Sequence, residues 1–276
     1  MPSINANGVE LHYELAGPAG APVVVFSNSI GTTLEMWDAQ VPALSGRYRC
    51  LRYDTRGHGR SAVIDRAATI GDLAADLAGL LDALGIEKAH VVGLSLGGMT
   101  AQAFAVEHPD RVAGLVLMAT AAFLPPPEGW EQRARTVCRD GMEAIVDAII
   151  PRWFTPPFIE TSGEAVATIR ERFLKNDPRG YAACCRAIRD MDLREAIPAI
   201  VSPTLIVAGA DDPATPVPLM EGIRARIIGA EMVVLPRAAH LLAVERADRV
   251  NQHLLGFLDT LTRVLSPSRS VDELRA

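Results

Sequence analysis

The pentapeptide Gly-Leu-Ser-Leu-Gly at residues 93–97 places Ser95 between two glycines. The apolar residues before it, 89–92, predict a buried strand, and residues 99–106 predict a helix. A serine on such a tight strand-to-helix turn projects its hydroxyl above the sheet, and the free N–H groups at the helix start stabilise negative charge beside it. The pattern predicts a nucleophilic serine; the alternative interpretation is a glycine-rich turn with no catalytic role.

A nucleophilic serine needs a base that removes its proton and an acid that orients the base. On this type of turn the partners follow in the order Asp or Glu and then His. Two strand-like runs after Ser95 are followed by Asp211 and Asp212 and by His240, respectively. The residues therefore predict His240 as the base and leave the acid open between Asp211 and Asp212. The alternative for His240 is a surface histidine at a helix N-terminus.

A mostly parallel sheet would bring these residues to one edge, because ligand sites of open α/β sheets lie at the carboxyl ends of the strands. Six apolar runs predict its strands, at residues 22–26, 49–53, 89–92, 113–118, 204–208 and 232–235. Alternating residues 9–15 follow an Asn-Gly turn and predict an antiparallel edge strand. Residues 69–84, with a capping box at Thr69 and Asp72, and residues 247–265 predict helices, which we expect on both faces of the sheet.

The pattern changes in residues 121–199, where strand-like runs give way to helical segments separated by prolines, at residues 130–139, 142–150, 164–174 and 179–189. We interpret this stretch as a helical cap inserted into an α/β core. The predicted organisation is a core of residues 1–120 and 200–265, a cap of residues 121–199 and a polar tail of residues 266–276.

The composition limits the expected partners. The 276 residues are 49% hydrophobic and 22% charged, with a formal net charge of −6. These values fit an enzyme with a small-molecule substrate and give no reason to expect nucleic acid or an anionic membrane. Four cysteines without C-x-x-C spacing, an N-terminus without signal-peptide features and the lack of a membrane-length apolar run predict a cytoplasmic protein without a metal site. The sequence leaves open whether the chain forms a homo-oligomer.

Several motifs resemble those of a known family. They are Ser-Asn-Ser-Ile-Gly-Thr at residues 27–32 with Met36 and Trp37, Leu-Arg-Tyr-Asp-Thr-Arg-Gly-His-Gly at 51–59, and Gly-Leu-Ser-Leu-Gly-Gly at 93–98. Segments of the predicted cap at residues 151–155, 180–182 and 192–194 also match. On these motifs the chain resembles the α/β-hydrolases along nearly its whole length and, more narrowly, the 3-oxoadipate enol-lactonases of the β-ketoadipate pathway.

This resemblance implies an α/β-hydrolase fold and a set of site residues. It implies Asp212 as the acid, three residues after the glycine that follows the predicted strand. It also implies an oxyanion hole made by the backbone N–H groups of Ile30 and Leu96, because an Asn-Ser pair stands at residues 28–29 where many hydrolases have His-Gly. The implied reaction is attack of Ser95 on a lactone carbonyl, followed by hydrolysis of the acyl-enzyme, with no metal or organic cofactor.

A substrate that carries a carboxylate needs a cation near the serine. Arg133 follows Trp130 by one helical turn, so the guanidinium and the indole share a face of the predicted helix, and arginine binds carboxylates through its fork of donors. We predict that both contact the substrate, against the alternative of a solvated helix face. Trp153 is predicted either to form a wall of the pocket or to pack inside the cap.

Two other functions remain as alternatives. The first alternative is a general carboxylesterase, or a hydrolase of another small ester or of a carbon–carbon bond. Such an enzyme would share the catalytic triad of Ser95, an aspartate and His240, and would differ in the cap. The second alternative is a hydrolase-like receptor that binds a small ligand and signals to a protein partner. Stable ligand binding without turnover would favour the receptor.

Overall fold

The computed structural model describes residues 2–64 and 66–265, so the predicted tail of residues 266–276 lies outside the described residues. The strands of this part of the chain are β1 (Ser3–Ala6), β2 (Val9–Ala16), β3 (Val23–Ser27), β4 (Arg49–Tyr53), β5 (Ala89–Leu94), β6 (Val112–Met118), β7 (Thr204–Gly209) and β8 (Glu231–Leu235). They form one sheet in the order β1-β2-β4-β3-β5-β6-β7-β8. Neighbouring strands are parallel from β4 through to β8, whereas β2 runs antiparallel to both β1 and β4. The predicted mostly parallel sheet is confirmed.

The Asn-Gly turn forms a hairpin, but the strand after it does not lie at the edge of the sheet. Asn7 and Gly8 have φ values of 53° and 76°, as both central residues of a type I′ turn require, and Ala6 pairs with Val9 across them. The prediction of β2 as an edge strand is wrong, because β1 pairs along its outer side. The four residues of β1 are too few and too mixed in polarity to give a periodic signal.

The central strands are buried between helices. Every residue of β5 and β7 is buried, as expected for strands that are covered on both faces. The helices are α1 (Gln40–Leu44), α2 (Ile70–Ala83), α3 (Leu96–Glu107), α4 (Pro127–Asp140), α5 (Glu143–Trp153), α6 (Pro156–Thr161), α7 (Gly163–Leu174), α8 (Pro178–Asp190), α9 (Val217–Arg224), α10 (Leu242–Glu245) and α11 (Ala247–Leu265). In the core, α1 packs with α11 and α2 packs with α3. None of the helices within the described residues has the length and apolarity needed to span a bilayer.

The helices α4 to α8 follow one another between β6 and β7, and the contacts that hold them to the core include one at Gly57 and one at Asn176. A Cβ on Gly57 would lie 2.5 Å from the Cα of Gly180, so the turn after β4 can contact α8 only because both positions lack a side chain. The side chain of Asn176 donates to the carbonyl of Gly31 at 2.9 Å and accepts from the N–H of Gly59 at 3.1 Å. The limits of the cap, residues 121–199, stay a prediction.

Candidate active site

Ser95 occupies a strained turn between β5 and α3. Its φ of 56° and ψ of −115° lie outside the regions that non-glycine residues normally adopt. Its N–H donates to the carbonyl of Met118 at 2.9 Å, and its carbonyl accepts from the Thr120 hydroxyl at 2.7 Å. These bonds hold the turn in the geometry that a nucleophile elbow requires, with the serine only 5% exposed.

The start of α3 packs directly against the loop after β3. The helix begins at Leu96, three residues before the predicted start at residue 99, because two glycines allow its first turn to enter the core. A Cβ on Gly97 would lie 2.0 Å from the carbonyl oxygen of Ser27, and the Gly97 N–H donates to the Asn28 carbonyl at 2.9 Å. This contact brings the backbone of Leu96 next to the loop that carries Ile30.

Ile30 and Leu96 are the two predicted donors of an oxyanion hole. Neither of their N–H groups donates a hydrogen bond to any other residue within the described ranges. Ile30 lines the same cavity as Ser95, and Leu96 follows that serine at the helix N-terminus. Two free N–H groups in these positions can stabilise negative charge on a carbonyl oxygen bound at the serine.

The side chain of Asn28 fixes the loop that carries Ile30. Its amide nitrogen donates to the carbonyl of Tyr53 at 2.8 Å, and its amide oxygen accepts from the indole of Trp37 at 2.8 Å. Asn28 is fully buried, where an unmade hydrogen bond would be costly. Both bonds therefore restrain the backbone just before Ile30.

Asp212 and His240 follow β7 and β8 and meet through a 2.9 Å hydrogen bond between Oδ2 and Nδ1. The carboxylate also accepts from the N–H groups of Ala214 and Thr215, at 2.7 and 3.1 Å, and from the Thr215 hydroxyl at 2.6 Å. Burial disfavours the charged form, but the charge of His240 and these hydrogen bonds outweigh burial and lower the pKa of Asp212 to about 2. Asp212 is therefore ionised at neutral pH. Asp211 is exposed and lines a separate surface groove, so the structure places Asp212, and not its neighbour, beside His240.

A second carboxylate, Glu245, connects the loop of His240 to the cap. One of its oxygens accepts from the N–H of Ala239 at 2.8 Å, and the other accepts from the N–H of Thr155 at 3.1 Å and from the Thr155 hydroxyl. The N–H of Leu241 donates to the carbonyl of Trp153 at 2.9 Å. The backbone of Leu241 is thus bonded directly to the end of α5. The backbone of Ala239 is linked through Glu245 to Thr155, in the segment after α5.

A cavity of about 200 Å³ lies between this edge of the sheet and the cap. Its volume is below the roughly 300–1,000 Å³ of sites for drug-sized ligands, so it suits a small substrate. The predicted side chains line it together, namely Ser95, His240, Ile30, Trp130, Arg133 and Trp153. Trp153 combines its two predicted roles, because it lines the cavity and also packs edge-to-face against Phe173, with ring centroids 5.5 Å apart.

Charge pairing distinguishes two arginines among the ten of residues 121–199. Eight have a carboxylate within 4.0 Å, namely Arg135, Arg139, Arg170, Arg172, Arg179, Arg186, Arg189 and Arg194. Arg133 and Arg152 have no carboxylate partner among the described residues, and both line the cavity. Arg133 instead lies over the ring of Trp130, with its guanidinium carbon 4.6 Å from the centroid, which is a cation–π contact.

Three residues of this site were not among those predicted from the sequence: Thr215, Arg152 and Glu245. Thr215 follows Asp212 by three residues, the spacing at which a carboxylate caps a turn, so a local signal exists. Arg152 lies directly before Trp153, and nothing in the sequence shows which cap arginines lack an acid. Glu245 acts through a contact with Thr155, 90 residues away along the chain, and no local pattern reveals that contact.

The chain is similar to known proteins in both sequence and fold. The model of the α/β hydrolase fold family matches residues 22–138. A 3-oxoadipate enol-lactonase of Acinetobacter baylyi is 36% identical over 93% of this chain and 96% of its own length. The crystal structure of the enol-lactonase from Burkholderia xenovorans superposes with a TM-score of 0.92 at 42% identity, over 94% of this chain and all of that one. A malate-bound thermophilic esterase from Thermogutta terrifontis has a TM-score of 0.89 at 34% identity, over 95% and 99% of the two chains.

These similarities extend over nearly the whole chain, so they include the cap as well as the sheet. The resemblance that the motifs indicated is confirmed, and so is the fold class. The chain belongs to the α/β hydrolase family and is an ester-hydrolysing enzyme.

Proposed function

We propose that this enzyme is a serine hydrolase that opens a small enol-lactone bearing a free carboxylate, converting 3-oxoadipate enol-lactone to 3-oxoadipate. The observation that carries the proposal is the cavity itself, which Ser95 and His240 line together with Arg133, a cation that lacks a carboxylate partner among the described residues. The similarity to proteins named enol-lactonases supports the same substrate. The reaction belongs in this proposal to cytoplasmic aromatic catabolism through the β-ketoadipate pathway.

The first half of the reaction forms an acyl-enzyme. His240 takes the proton of the Ser95 hydroxyl as the serine oxygen bonds to the lactone carbonyl carbon, and ionised Asp212 stabilises the resulting imidazolium. The N–H groups of Ile30 and Leu96 bind the oxyanion, a contribution of about 3 kcal/mol per donor in comparable enzymes. Collapse of the tetrahedral intermediate breaks the ring C–O bond. The leaving enolate takes the proton from His240 and tautomerises to the ketone.

The second half releases the product. A water molecule gives its proton to His240 and attacks the acyl carbon, and Ser95 leaves with that proton. The new acid ionises, so a monoanionic lactone becomes a dicarboxylate. Arg133 can bind the carboxylate that the lactone already carries, through paired N–H donors. The indole of Trp130 beneath the guanidinium restrains the direction in which those donors point.

The experiment that tests this function compares substrates on the purified enzyme. We expect kcat/KM for the enol-lactone made from muconolactone to exceed that for p-nitrophenyl acetate by at least about 30-fold, since a buried, bound charge is worth about 2–4 kcal/mol. Equal or better hydrolysis of the nitrophenyl ester would favour a general esterase, the second candidate, which the thermophilic esterase neighbour supports. Ligand binding without turnover of either substrate would favour a receptor.

A further inference from the structure

The cavity contains a second cation that the proposed reaction does not use. Arg152 lies near the end of α5, next to Trp153, and lines the cavity together with Ser95 and His240. No aspartate or glutamate of the described chain lines this cavity. A protein with a formal net charge of −6 thus lines the cavity at its nucleophile with two arginines, and its triad acid, Asp212, lies behind His240 and not on the cavity surface.

Glu131, an acid on the same helix as Arg133, is already committed to other arginines. Its carboxylate accepts from Arg135, Arg186 and Arg189. These contacts, that with Arg135 foremost, lower the pKa of Glu131 to about 2, so the carboxylate is charged and occupied. Arg133 therefore does not share it, and its positive charge is left to the cavity.

Arg152 lies on the side of the cavity where a second carboxylate would form. Its guanidinium donates to the carbonyl of Pro213 at 3.4 Å, and Pro213 directly follows Asp212, the partner of His240. Arg152 is exposed and Arg133 is partly buried, so solvent reaches Arg152 more freely than Arg133. Lactone opening at Ser95 creates the new carboxylate near the triad, away from the carboxylate that Arg133 holds.

We propose that the site is a dicarboxylate site, in which Arg133 binds one carboxylate and Arg152 the other. This inference rests on the proposed function for the order of events but not for the binding itself. It implies that the enzyme binds its product more tightly than a monoanion of the same length. Linear dicarboxylates of similar length should then be competitive inhibitors.

Binding can be measured without turnover in Ser95→Ala protein. We would titrate it calorimetrically with adipate and with hexanoate, which have six carbons each and differ by one charge. Adipate should bind about five-fold more tightly, since one added ion pair near a protein surface is worth up to about 1 kcal/mol. Arg152→Gln in this background should weaken adipate binding by up to about five-fold, which removes most of that preference. It should change hexanoate affinity by less than about two-fold. Arg133→Gln should weaken both ligands.

Two further variants make the result decisive. Arg152→Lys keeps the charge and should retain part of the preference for adipate, whereas Arg170→Gln removes an arginine paired with Asp147 outside the cavity and should change nothing. Equal affinities for adipate and hexanoate, or an equal loss of both in Arg152→Gln, would overturn the proposal. If wild-type enzyme does not open the enol-lactone but Ser95→Ala still prefers adipate, the lactonase assignment fails and the dicarboxylate site stands.

Discussion

The two walls of the cavity differ in whether their charged side chains have partners within the protein. On the sheet side, the carboxylate of Asp212 has three hydrogen-bond donors and an imidazole partner, all supplied by the protein. On the cap side, Arg133 and Arg152 have no carboxylate partner among the described residues, although the eight other cap arginines do.

The difference reflects what each wall has to do. Catalysis needs groups that are already oriented before the substrate arrives, because reorganisation during the reaction would raise the barrier. Selection of an anion needs a charge that only the ligand neutralises, since an internal partner would compete with it. Substitutions of the triad should therefore affect all substrates, and substitutions of the two unpaired cap arginines should affect only anionic ones.

The largest expected effect is on the sheet side, at Ser95. Ser95→Ala should reduce kcat to below about one per cent of wild type for lactone and ester alike, because loss of a triad serine costs up to about a million-fold. The fold should be kept, since only a hydroxyl is removed. Ser202→Ala is the control, because that buried serine precedes β7 away from the cavity. Steady-state kinetics on both substrates would check this, and residual activity above one per cent would exclude Ser95 as the nucleophile.

The next effect separates two neighbouring aspartates. Asp212→Asn should lower kcat by about 10⁴-fold for every substrate, because an asparagine leaves His240 in the wrong tautomer. Asp211→Asn should have little effect, since Asp211 is exposed and lines a different groove. If Asp211→Asn lowers kcat more than Asp212→Asn does, Asp212 is not the acid of the triad.

The cap side is tested by Arg133→Leu. It should lower kcat/KM for the anionic lactone by an amount equivalent to about 2–4 kcal/mol of transition-state stabilisation, the scale of losing a buried charge partner. It should barely change kcat/KM for a small neutral ester. Arg135→Leu is the matched control, because Arg135 is on the same helix but exposed and paired with Glu131. Equal losses on the two substrates would mean that Arg133 supports the cap and selects nothing, and the contrast between the two walls would disappear.

The smallest effect concerns stability on the sheet side. The pKa of Asp212 is about 2 in the folded protein and close to 3.9 in an unfolded chain. The carboxylate thus stabilises the fold above about pH 4, by about 2 kcal/mol, and that stability is lost as the pH falls through the folded pKa. The difference in unfolding free energy between wild type and Asp212→Asn should shrink as the pH drops from 5 towards 2. Urea unfolding at several pH values would measure it, and a constant difference would contradict the lowered pKa.

Residues adjacent in sequence gave the reliable predictions. The turn of Ser95, the capping box at Thr69 and the apolar runs of the parallel strands depend on neighbours a few residues apart, so their patterns are visible in the chain. The positions of Asp212 and His240 after successive strands follow from the rule that parallel strands end at one edge. The choice between Asp211 and Asp212 came from resemblance, and burial of Asp212 supplies its physical reason.

Features that depend on distant partners were not predictable in the same way. The strand β1 is recognised only when it pairs with β2, and α6 and α9 span six and eight residues, too short for a clear helical period. Which cap arginines are neutralised depends on contacts such as that of Arg170 with Asp147, 23 positions apart. The prediction of Arg133 therefore rested on its spacing from Trp130, while the equally unpaired Arg152 was not selected.

The bonds of Glu245 and of the Trp153 carbonyl have a consequence for how this enzyme can diversify. Because they join the end of α5 and Thr155 to the residues flanking His240, the cap is not an interchangeable part. A cap transplanted from another hydrolase would have to supply the same backbone acceptor and the same threonine, or the base would lose its alignment. New substrate ranges should therefore arise by replacement of single side chains inside the existing cap. A chimera whose cap lacks these contacts should fold but have a low kcat.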